Sequence, residues 1–270
     1  MTKILVQGDD FGFTRAVTLG IVDSIDRGVL RNTGLFPNMP SAEFAVSFMK
    51  DRPQACFGID FNIVSGPPVS NPKDVPSLVD EKGEFVRSGA RLKDPRFQTE
   101  EGRRAMFPYE EVYREIRAQY DRFVELAGTK PGYLHAHSLG HEHYDEAIHQ
   151  VSREEGVPYS ADLHEKYNFG SLFKKMGGMP KNPADGKKVF DPMDQLNKNP
   201  LKNVLDNKDY ILEHEYFMIG GHPGYIDDEL LSLTTLSLER CKDAAMCMSP
   251  ELKAFIEENN IQLITYYDLY

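Results

Sequence analysis

Short apolar runs alternate along the chain with longer segments in which apolar positions recur at helical spacing. This alternation is typical of a mostly parallel sheet whose strands are joined by helices. The pattern predicts strands at residues 3–7, 33–37, 55–61, 133–137, 157–160, 216–220 and 261–265. It predicts helices at residues 14–27, 41–50, 108–127, 144–155, 227–242 and 249–259.

Residues that start or stop helices support several of these boundaries. Thr14 and Ser41 stand where an N-cap side chain accepts a hydrogen bond from the first helical turn. Gly28, Gly128 and Gly156 follow helical segments, where a glycine in a left-handed conformation commonly ends the helix. We therefore expect helices to begin after the two cap residues and to end before the three glycines.

Two long stretches, residues 62–107 and 161–210, lack a regular apolar period and contain many prolines and glycines. Loops this long in compact proteins are usually functional. The first therefore either covers a site at the strand ends or is a mobile surface insertion, and the second is predicted to be another loop or lid. Because no repeat or linker interrupts the pattern, we predict one barrel-like α/β domain over residues 1–270.

The composition narrows the class of partner. The chain has 270 residues and a formal net charge of −11, and an acidic surface repels nucleic acids and anionic membranes. No stretch approaches a membrane span, and the apolar run near Met1 is too short for a signal peptide. The 3 cysteines have no metal-binding spacing, which favours reduced thiols in a cytoplasmic protein. Neutral substrates such as sugars stay compatible with this charge.

Two adjacent carboxylates, Asp9 and Asp10, stand between the first predicted strand and the first predicted helix. In α/β proteins with parallel strands, ligands bind at this end of the strands. Paired carboxylates there suit metal binding or acid–base chemistry. The alternative is that both residues only form a turn, because aspartate is common in loops.

The chain has 8 histidines, and His135, His137, His141 and His143 lie close together in the sequence. Strand alternation places His135 and His137 on one face. Imidazole and carboxylate groups that converge from different strands are typical of a divalent-metal site. A lone histidine on a strand is more often structural, but this density favours a site. His143 and His149 fall on the following helix, where we expect structural roles.

Two further residues are candidates because of their place in the chain. Asp60 interrupts an apolar strand, and a buried carboxylate is costly unless it is paired or binds a cation. An arginine partner and a metal ion are both open as explanations. His222 follows a strand and lies in residues 220–225, whose glycines and proline would aim it over the strand ends. A turn that happens to contain a histidine is the alternative.

Several motifs occur in a characteristic order along the chain. They are Gly8-Asp9-Asp10-Phe11-Gly12, Phe36-Pro37-Asn38-Met39-Pro40, Gly58-Ile59-Asp60-Phe61-Asn62, His135-Ala136-His137 with His141, His222-Pro223-Gly224-Tyr225 with Asp227, and the closing residues 261–266. Over nearly the whole chain they resemble the YdjC-like carbohydrate deacetylases. The resemblance implies a distorted (β/α) TIM-like barrel of the glycoside hydrolase and deacetylase type.

The resemblance also implies an activity and roles for individual residues. The family hydrolyses the N-acetyl group of a chito-oligosaccharide or a similar amino sugar, in carbohydrate catabolism, with a divalent metal ion. Asp10 and His137 would be metal ligands, and Asp9 would be the general base. His222 would lie near the leaving amine or the substrate, and we predict that it is the acid, with His135 as the second candidate. Similar family members pair as dimers, so a homodimer is expected.

Three positions depart from the family's pattern. Asp60 stands where the family has a metal-binding histidine, His135 stands where it has an acidic residue, and Leu139 replaces a further histidine. The first two departures lead to the hypothesis of a reciprocal exchange, in which Asp60 and His135 lie close together on neighbouring strands. Asp60 would then be the third metal ligand, beside Asp10 and His137.

The predicted ligand set is richer in oxygen than one carboxylate with two histidines, which favours Mg²⁺ over Zn²⁺. Zn²⁺ also accepts two carboxylates and a histidine, so it stays the second choice. Four other motif residues are predicted to bind the oligosaccharide substrate: Asn38, His135, His141 and Tyr225.

Two other functions fit the same residues. The metal set would also serve a hydrolase of another sugar bond such as a phosphate ester, with Arg15, Arg87 or Lys93 aimed at the phosphate. The departures at Asp60 and Leu139 would instead suit a sugar-binding protein with a degenerate site. Release of acetate, of phosphate or of neither product from the matching sugar separates the three functions.

Overall fold

The structure is a computed structural model that describes residues 1–175 and 192–270. The described strands are β1 (Lys3–Phe11), β2 (Asn32–Leu35), β3 (Cys56–Phe61), β4 (Leu134–Ala136), β5 (Gly170–Ser171), β6 (Tyr216–Gly221) and β7 (Gln262–Ile264). The described α-helices are α1 (Arg15–Asp26), α2 (Ala42–Val46), α3 (Ser88–Lys93), α4 (Glu100–Met106), α5 (Tyr109–Ala127), α6 (Glu142–Glu155), α7 (Ser160–Lys166), α8 (Leu172–Lys175), α9 (Pro192–Asn197), α10 (Pro200–Asp206), α11 (Lys208–Leu212), α12 (Asp228–Leu233), α13 (Leu238–Met248) and α14 (Pro250–Glu258). Short 3₁₀ helices occupy Pro72–Asp74, Pro95–Gln98 and Tyr266–Leu269.

The described strands form one 7-stranded sheet in the order β4-β3-β2-β1-β6-β5, with β7 also paired to β1. The pairings within this described sheet are parallel. The sheet curls into a half-barrel, so the predicted α/β fold with a distorted TIM-like barrel is confirmed. Because the strands run in one direction, their carboxyl ends meet at a single edge, where the candidate residues lie.

Apolar side chains pack against both faces of strand β1. Ile4 and Val6 belong to the large core that includes residues of the surrounding helices, whereas Leu5 belongs to a smaller cluster on the opposite face of the sheet. The strand is longer than predicted and includes the carboxylate pair, which the sequence pattern placed in a loop. Its register against β2 shifts between Gly8 and Phe11, as in a β-bulge.

The predicted helix ends are mostly confirmed. The Thr14 side chain accepts a hydrogen bond from the Val17 backbone N–H at 3.2 Å and caps α1. Gly128 and Gly156 end α5 and α6 in the left-handed conformation, at φ 67° and 68°. The predicted cap at Ser41 is wrong, because its side chain precedes α2 but forms no capping hydrogen bond.

The two stretches predicted as irregular contain helices. Residues 62–107 include α3 and α4, and the buried Glu115 carboxylate of α5 holds the segment by accepting hydrogen bonds from the Val69 and Ser70 backbone at 2.9 Å. The described parts of residues 161–210 include β5, α8, α9 and α10, most of α7 and the start of α11, while residues 176–191 lie outside the described chain. These helices are too short to show a clear apolar period in the sequence.

Two further predicted elements are wrong. Residues 157–160 do not form a strand, and the one bridge there joins Tyr159 to Leu134. The helix predicted over residues 227–242 is broken into α12 and α13. Buried Gln195 of α9 holds the break, since its amide donates to Thr235 O at 2.7 Å and accepts from Ser237 N at 2.9 Å. Among the described helices, none has both the length and the apolar character to cross a membrane.

Candidate active site

A cavity of about 290 Å³ opens at the carboxyl ends of β1, β4 and β6. Its wall includes Asp9, Asp10, His135, His137, His222 and Arg240. The parallel topology explains why the aspartates and histidines meet, because each lies near or just beyond the carboxyl end of a strand, whereas Arg240 reaches the cavity from α13. We call this cavity the cleft.

Asp10 is buried at the bulge of β1 in the left-handed region, at φ 73°. A non-glycine residue pays free energy for this conformation, and such residues concentrate at functional sites. One carboxylate oxygen, Oδ2, accepts a hydrogen bond from the Arg240 guanidinium at 2.6 Å. The other, Oδ1, lies 3.2 Å from Nδ1 of His137. Burial alone would raise the pKa of Asp10, but the positive charge of Arg240 beside it holds the pKa at about 2.

Asp60 is fully buried on β3 beside Asp10. Its Oδ2 accepts the Asp10 backbone N–H at 3.1 Å and lies 3.8 Å from Nδ1 of His137. Burial, and then the nearby carboxylates of Asp9 and Asp10, raise the pKa of Asp60 well above its usual range. Gly34 on β2 makes room for it, because a Cβ at that glycine would lie 2.7 Å from the Asp60 Cβ.

Asp10, Asp60 and His137 together have the arrangement of a metal site. Each offers one ligand atom, and the three atoms lie within 4.8 Å of one another. Within the described chain, the buried Oδ1 atoms of Asp10 and Asp60 have no hydrogen-bond partner. Burial lowers the pKa of His137, although Asp10 opposes this, so a neutral imidazole faces the carboxylates. Two orphaned carboxylate oxygens and a neutral imidazole are donors that fit a divalent cation.

Asp9 lies on the cleft side of this cluster and is partly exposed. Its Oδ1 accepts a hydrogen bond from the Gln7 side-chain amide at 2.7 Å. Its Oδ2 lies 3.9 Å from Nε2 of His135. The structure therefore brings the predicted base next to the predicted metal ligands while one of its oxygens faces an imidazole.

His135 and Asp60 are direct neighbours on adjacent strands. Their Cα atoms are paired in the parallel register of β3 and β4. Nδ1 of His135 is 2.7 Å from the Ser160 hydroxyl, so the ring is held with its other nitrogen towards Asp9. The described part of the chain shows no arginine hydrogen-bonded to Asp60; Arg240 instead pairs with Asp10.

His222 reaches the cleft from the other side, just after β6. Gly8 of β1 allows this approach, because a Cβ there would lie 2.6 Å from the Pro223 ring. The His222 backbone N–H donates to Asp243 at 2.8 Å and fixes the start of the turn. Burial raises the pKa of Asp243, although the hydrogen bond from His222 opposes this.

The other three predicted substrate-binding residues do not line the cleft in the described structure. They are Asn38, His141 and Tyr225. The Asn38 amide donates to the backbone of Ser65 and Pro67, at 2.9 and 3.0 Å.

The His141 ring is buried, caps α6, and stacks on Phe107 with the ring centroids 4.0 Å apart. The Tyr225 hydroxyl donates to Asp23 of α1 at 2.5 Å. These contacts hold loops and helices together around the cleft, and sequence motifs do not distinguish them from contacts to a ligand.

Sequence reasoning missed Arg240 and the segment that joins α12 to α13. Arg240 is buried and lies 230 positions from the carboxylate it contacts. A lone arginine in a helical segment carries no local pattern that would identify it. Thr234 and Thr235 line the cleft because the predicted long helix is broken there. Serines and threonines between residues 232 and 237 were the available signal, since they are weak helix formers.

The fold and the cleft define an α/β barrel protein with a carboxylate and histidine cluster at the carboxyl edge of its sheet. The family model of the YdjC-like proteins matches residues 3–258. The chain is 34% identical over 273 residues to carbohydrate deacetylase 2 of Listeria innocua serovar 6a, covering 99% of this chain and 98% of the relative. It is 31% identical to a carbohydrate deacetylase of Geobacillus stearothermophilus, covering 98% and 97%. This chain therefore belongs to the YdjC-like family.

A solved structure has the same fold. It is the crystal structure of a protein from Enterococcus faecalis V583, described as a proposed cellobiose-phosphate cleavage protein. The two chains are 24% identical and superpose with a TM-score of 0.75 over 99% of this chain and 98% of the other. This likeness supports the curled parallel sheet as the architecture of the chain.

Proposed function

We propose that this protein is a metal-dependent hydrolase that removes the N-acetyl group from an acetylated amino sugar or chito-oligosaccharide. The observation that carries the proposal is the convergence of Asp10, Asp60 and His137 within 4.8 Å, with Asp9 beside them in the cleft. The relatives named carbohydrate deacetylase, at 34% and 31% identity over nearly the whole chain, support the choice of substrate and bond.

Asp10, Asp60 and His137 would hold one divalent cation. The pairing of Arg240 with Oδ2 of Asp10 leaves Oδ1 for the cation, and the Asp10 backbone N–H orients the Asp60 carboxylate. When bound, the cation polarises the acetyl carbonyl, lowers the pKa of its water and offsets the negative charge that develops on the oxygen. Two carboxylates and one imidazole favour Mg²⁺, with Zn²⁺ as the second choice.

The protein's own residues would move the protons. Asp9 would take a proton from the attacking water, because its carboxylate lies next to the metal ligands and is accessible from the cleft. An amide nitrogen leaves poorly as an anion, so an acid must protonate it. His222 is our candidate because it faces Asp9 and Asp10 from the end of β6, and His135 is second.

The wall of the cleft suits a neutral, hydroxyl-rich substrate. Five hydroxyl side chains line it in the described structure: Ser65, Ser88, Ser138, Thr234 and Thr235. They and His135 are our candidates for contacts with sugar hydroxyl groups. We further propose a cytoplasmic protein that forms a homodimer and acts as one domain over residues 1–270.

A phosphate-ester hydrolase is less well supported by the cleft. Arg15 lies over the Phe44 ring at 4.2 Å, and Arg87 donates to the backbone of Ser232 at 2.7 Å. Neither of them, nor Lys93, lines the described cleft, where Arg240 is already paired with Asp10. A phosphate group would therefore meet few free positive charges.

Product analysis tests the proposal. The purified protein, loaded with Mg²⁺ or Zn²⁺, is incubated with N-acetylated chito-oligosaccharides and, separately, with a sugar phosphate. We expect acetate and a free amine in equal amounts from the first substrate. Release of phosphate alone would replace the proposal with the phosphatase, and binding of the sugar without either product would replace it with a sugar-binding protein.

A further inference from the structure

Three polar side chains lie beneath the cleft in an otherwise apolar region. Gln7 of β1 and Tyr266 are buried, and Tyr266 belongs to the small apolar cluster inside the curled sheet with Leu5 and Ile264. His164 of α7 packs against the Tyr266 ring with the centroids 5.7 Å apart. Buried polar groups in such surroundings are costly unless each is hydrogen-bonded.

Their hydrogen bonds form one chain that ends on Asp9. The Gln7 amide Nε2 donates to Asp9 Oδ1 at 2.7 Å. The Tyr266 hydroxyl donates to Gln7 Oε1, and the same hydroxyl lies 2.8 Å from Nε2 of His164. Strand alternation explains the start of the chain, because Leu5, Gln7 and Asp9 point to the same face of β1.

The chemistry of the groups sets the direction of every bond. A carboxylate only accepts, so the Gln7 NH₂ must face Asp9 and the Gln7 oxygen must face Tyr266. The Tyr266 hydroxyl donates its single proton to the Gln7 oxygen. The hydroxyl oxygen must therefore accept from His164, with Nε2 as the donor. Burial lowers the pKa of His164 to about 3, which keeps the ring neutral, and the contact with the hydroxyl oxygen then assigns its one proton to Nε2.

We propose that Gln7, Tyr266 and His164 are positioning residues that hold Asp9 for its role as the general base. This inference rests on the proposed deacetylase function. The chain of donors fixes Oδ1 of Asp9, so Oδ2, which lies 3.9 Å from Nε2 of His135, is the oxygen that takes the proton from water. A base whose carboxylate is held in one orientation loses no rate to rotation away from the water.

Kinetics of Tyr266→Phe and Gln7→Leu test the inference. Each change removes one link, so we expect kcat to fall by about tenfold to a hundredfold, while KM and the bound metal stay at their wild-type values. The double variant Gln7→Leu/Tyr266→Phe is expected to be no slower than the slower single variant, because both act through the orientation of Asp9.

Tyr133→Phe is the matched control. The Tyr133 ring stacks on Tyr266 with the centroids 4.0 Å apart, and its buried hydroxyl has no hydrogen-bond partner in the described chain. Removal of this hydroxyl changes the same apolar cluster without touching Asp9, so kcat should stay at the wild-type value. Equal losses of kcat in Tyr133→Phe and Tyr266→Phe, or additive losses in the double variant, would overturn the inference in favour of a purely structural cluster.

A spectroscopic measurement separates this inference from the proposed function. ¹⁵N chemical shifts of the His164 ring, recorded near pH 7, should show the neutral form with the proton on Nε2. In Tyr266→Phe the shift of that nitrogen should move, since its hydrogen-bond acceptor is gone. A proton on Nδ1 in the wild type would refute the chain even if acetate is released. Wild-type protein that shows the expected form but releases no acetate would instead count against the deacetylase.

Discussion

Asp9 and Asp10 are adjacent in the chain, yet their surroundings differ in every respect that matters for chemistry. Asp10 is buried, held in a left-handed conformation and paired with Arg240. Asp9 is partly exposed and accepts its hydrogen bond from the uncharged Gln7 amide. Both residues lie where the register of β1 against β2 shifts, as in a β-bulge, an irregularity that commonly re-aims side chains next to active sites. We infer that one carboxylate binds the cation and the other moves a proton.

Substitution of the two aspartates should separate these roles. Asp10→Ala removes a ligand and is expected to abolish metal binding, measured as metal content after dialysis. Asp9→Asn keeps the size of the side chain and an oxygen that can accept the hydrogen bond from Gln7. The variant should therefore bind metal normally and lose about 10²–10⁴-fold in kcat, which is the usual contribution of a general base.

Asp10→Ala needs a control variant, because this substitution leaves the Arg240 guanidinium without its hydrogen-bond partner. Asp10→Asn, which keeps a side-chain oxygen near Arg240, is the control for a loss of fold rather than of the ligand. Full turnover in Asp9→Asn would show that another group is the base.

At the scale of elements, the register of β3 and β4 decides whether Asp60 and His135 can exchange roles. Their paired Cα atoms place the two side chains on the same face of neighbouring strands. We expect Asp60→His/His135→Asp to retain metal binding and measurable deacetylation, because the cleft keeps one carboxylate and one imidazole at these positions. The ion preference should shift towards Zn²⁺, since the buried ligand becomes an imidazole.

The single variant Asp60→His is the comparison for this exchange. It places imidazoles at both positions 60 and 135 and leaves no carboxylate at either, so it should bind Mg²⁺ less tightly than either the wild type or the double variant. If the double variant binds metal no better than Asp60→Asn, the hypothesis of a reciprocal exchange fails.

Helix α6 begins at a buried histidine whose charge state affects stability. Nδ1 of His141 lies 3.3 Å from the Tyr144 N–H that it caps, and burial lowers the pKa of His141 to about 3. The folded protein therefore keeps this ring neutral, while the unfolded chain takes up a proton below about pH 6.5. The contribution of the neutral His141 ring to the free energy of unfolding is fully present above that pH, and it is lost as the pH falls towards 3.

Urea unfolding of wild type and His141→Asn at pH 7 and pH 5 measures this effect. Asparagine can still cap the helix but does not titrate. We expect the wild type to lose about 2 kcal/mol more than the variant between the two pH values. Equal losses in both proteins would mean that the ring takes up its proton in the folded state.

At the scale of the whole molecule, metal binding and folding should be linked. The predicted ligands come from β1, β3 and the segment after β4, so a bound cation joins parts of the chain that separate on unfolding. At a concentration a hundredfold above its Kd, a cation stabilises the fold by about 2.7 kcal/mol. For a chain of this size that raises Tm by roughly 5–10 °C.

Thermal unfolding in excess Mg²⁺ and in chelator checks this linkage. Asp10→Ala should show no difference between the two conditions, and Asp9→Asn should show the wild-type difference. A wild-type Tm that is the same in Mg²⁺, Zn²⁺ and chelator would contradict a metal site at these residues.

Much of this protein follows from local pattern. Apolar alternation and helix caps such as Thr14 and Gly128 act over a few residues, so the parallel α/β fold could be predicted from the sequence. The motifs around Asp9, His137 and His222 also located most of the cleft, because parallel strands bring their carboxyl ends together whatever the details of packing. The element bounds were less predictable where helices are short.

Only the tertiary structure decided how these residues are used. The ion pair of Arg240 with Asp10 and the hydrogen bonds from Tyr266 through Gln7 join positions 230 and 259 residues apart. The break between α12 and α13 depends on Gln195, and the burial of His141 depends on Phe107. Long-range packing, rather than local preference, determines which polar side chains face the cleft and which are buried against the core, and therefore which groups can meet a substrate.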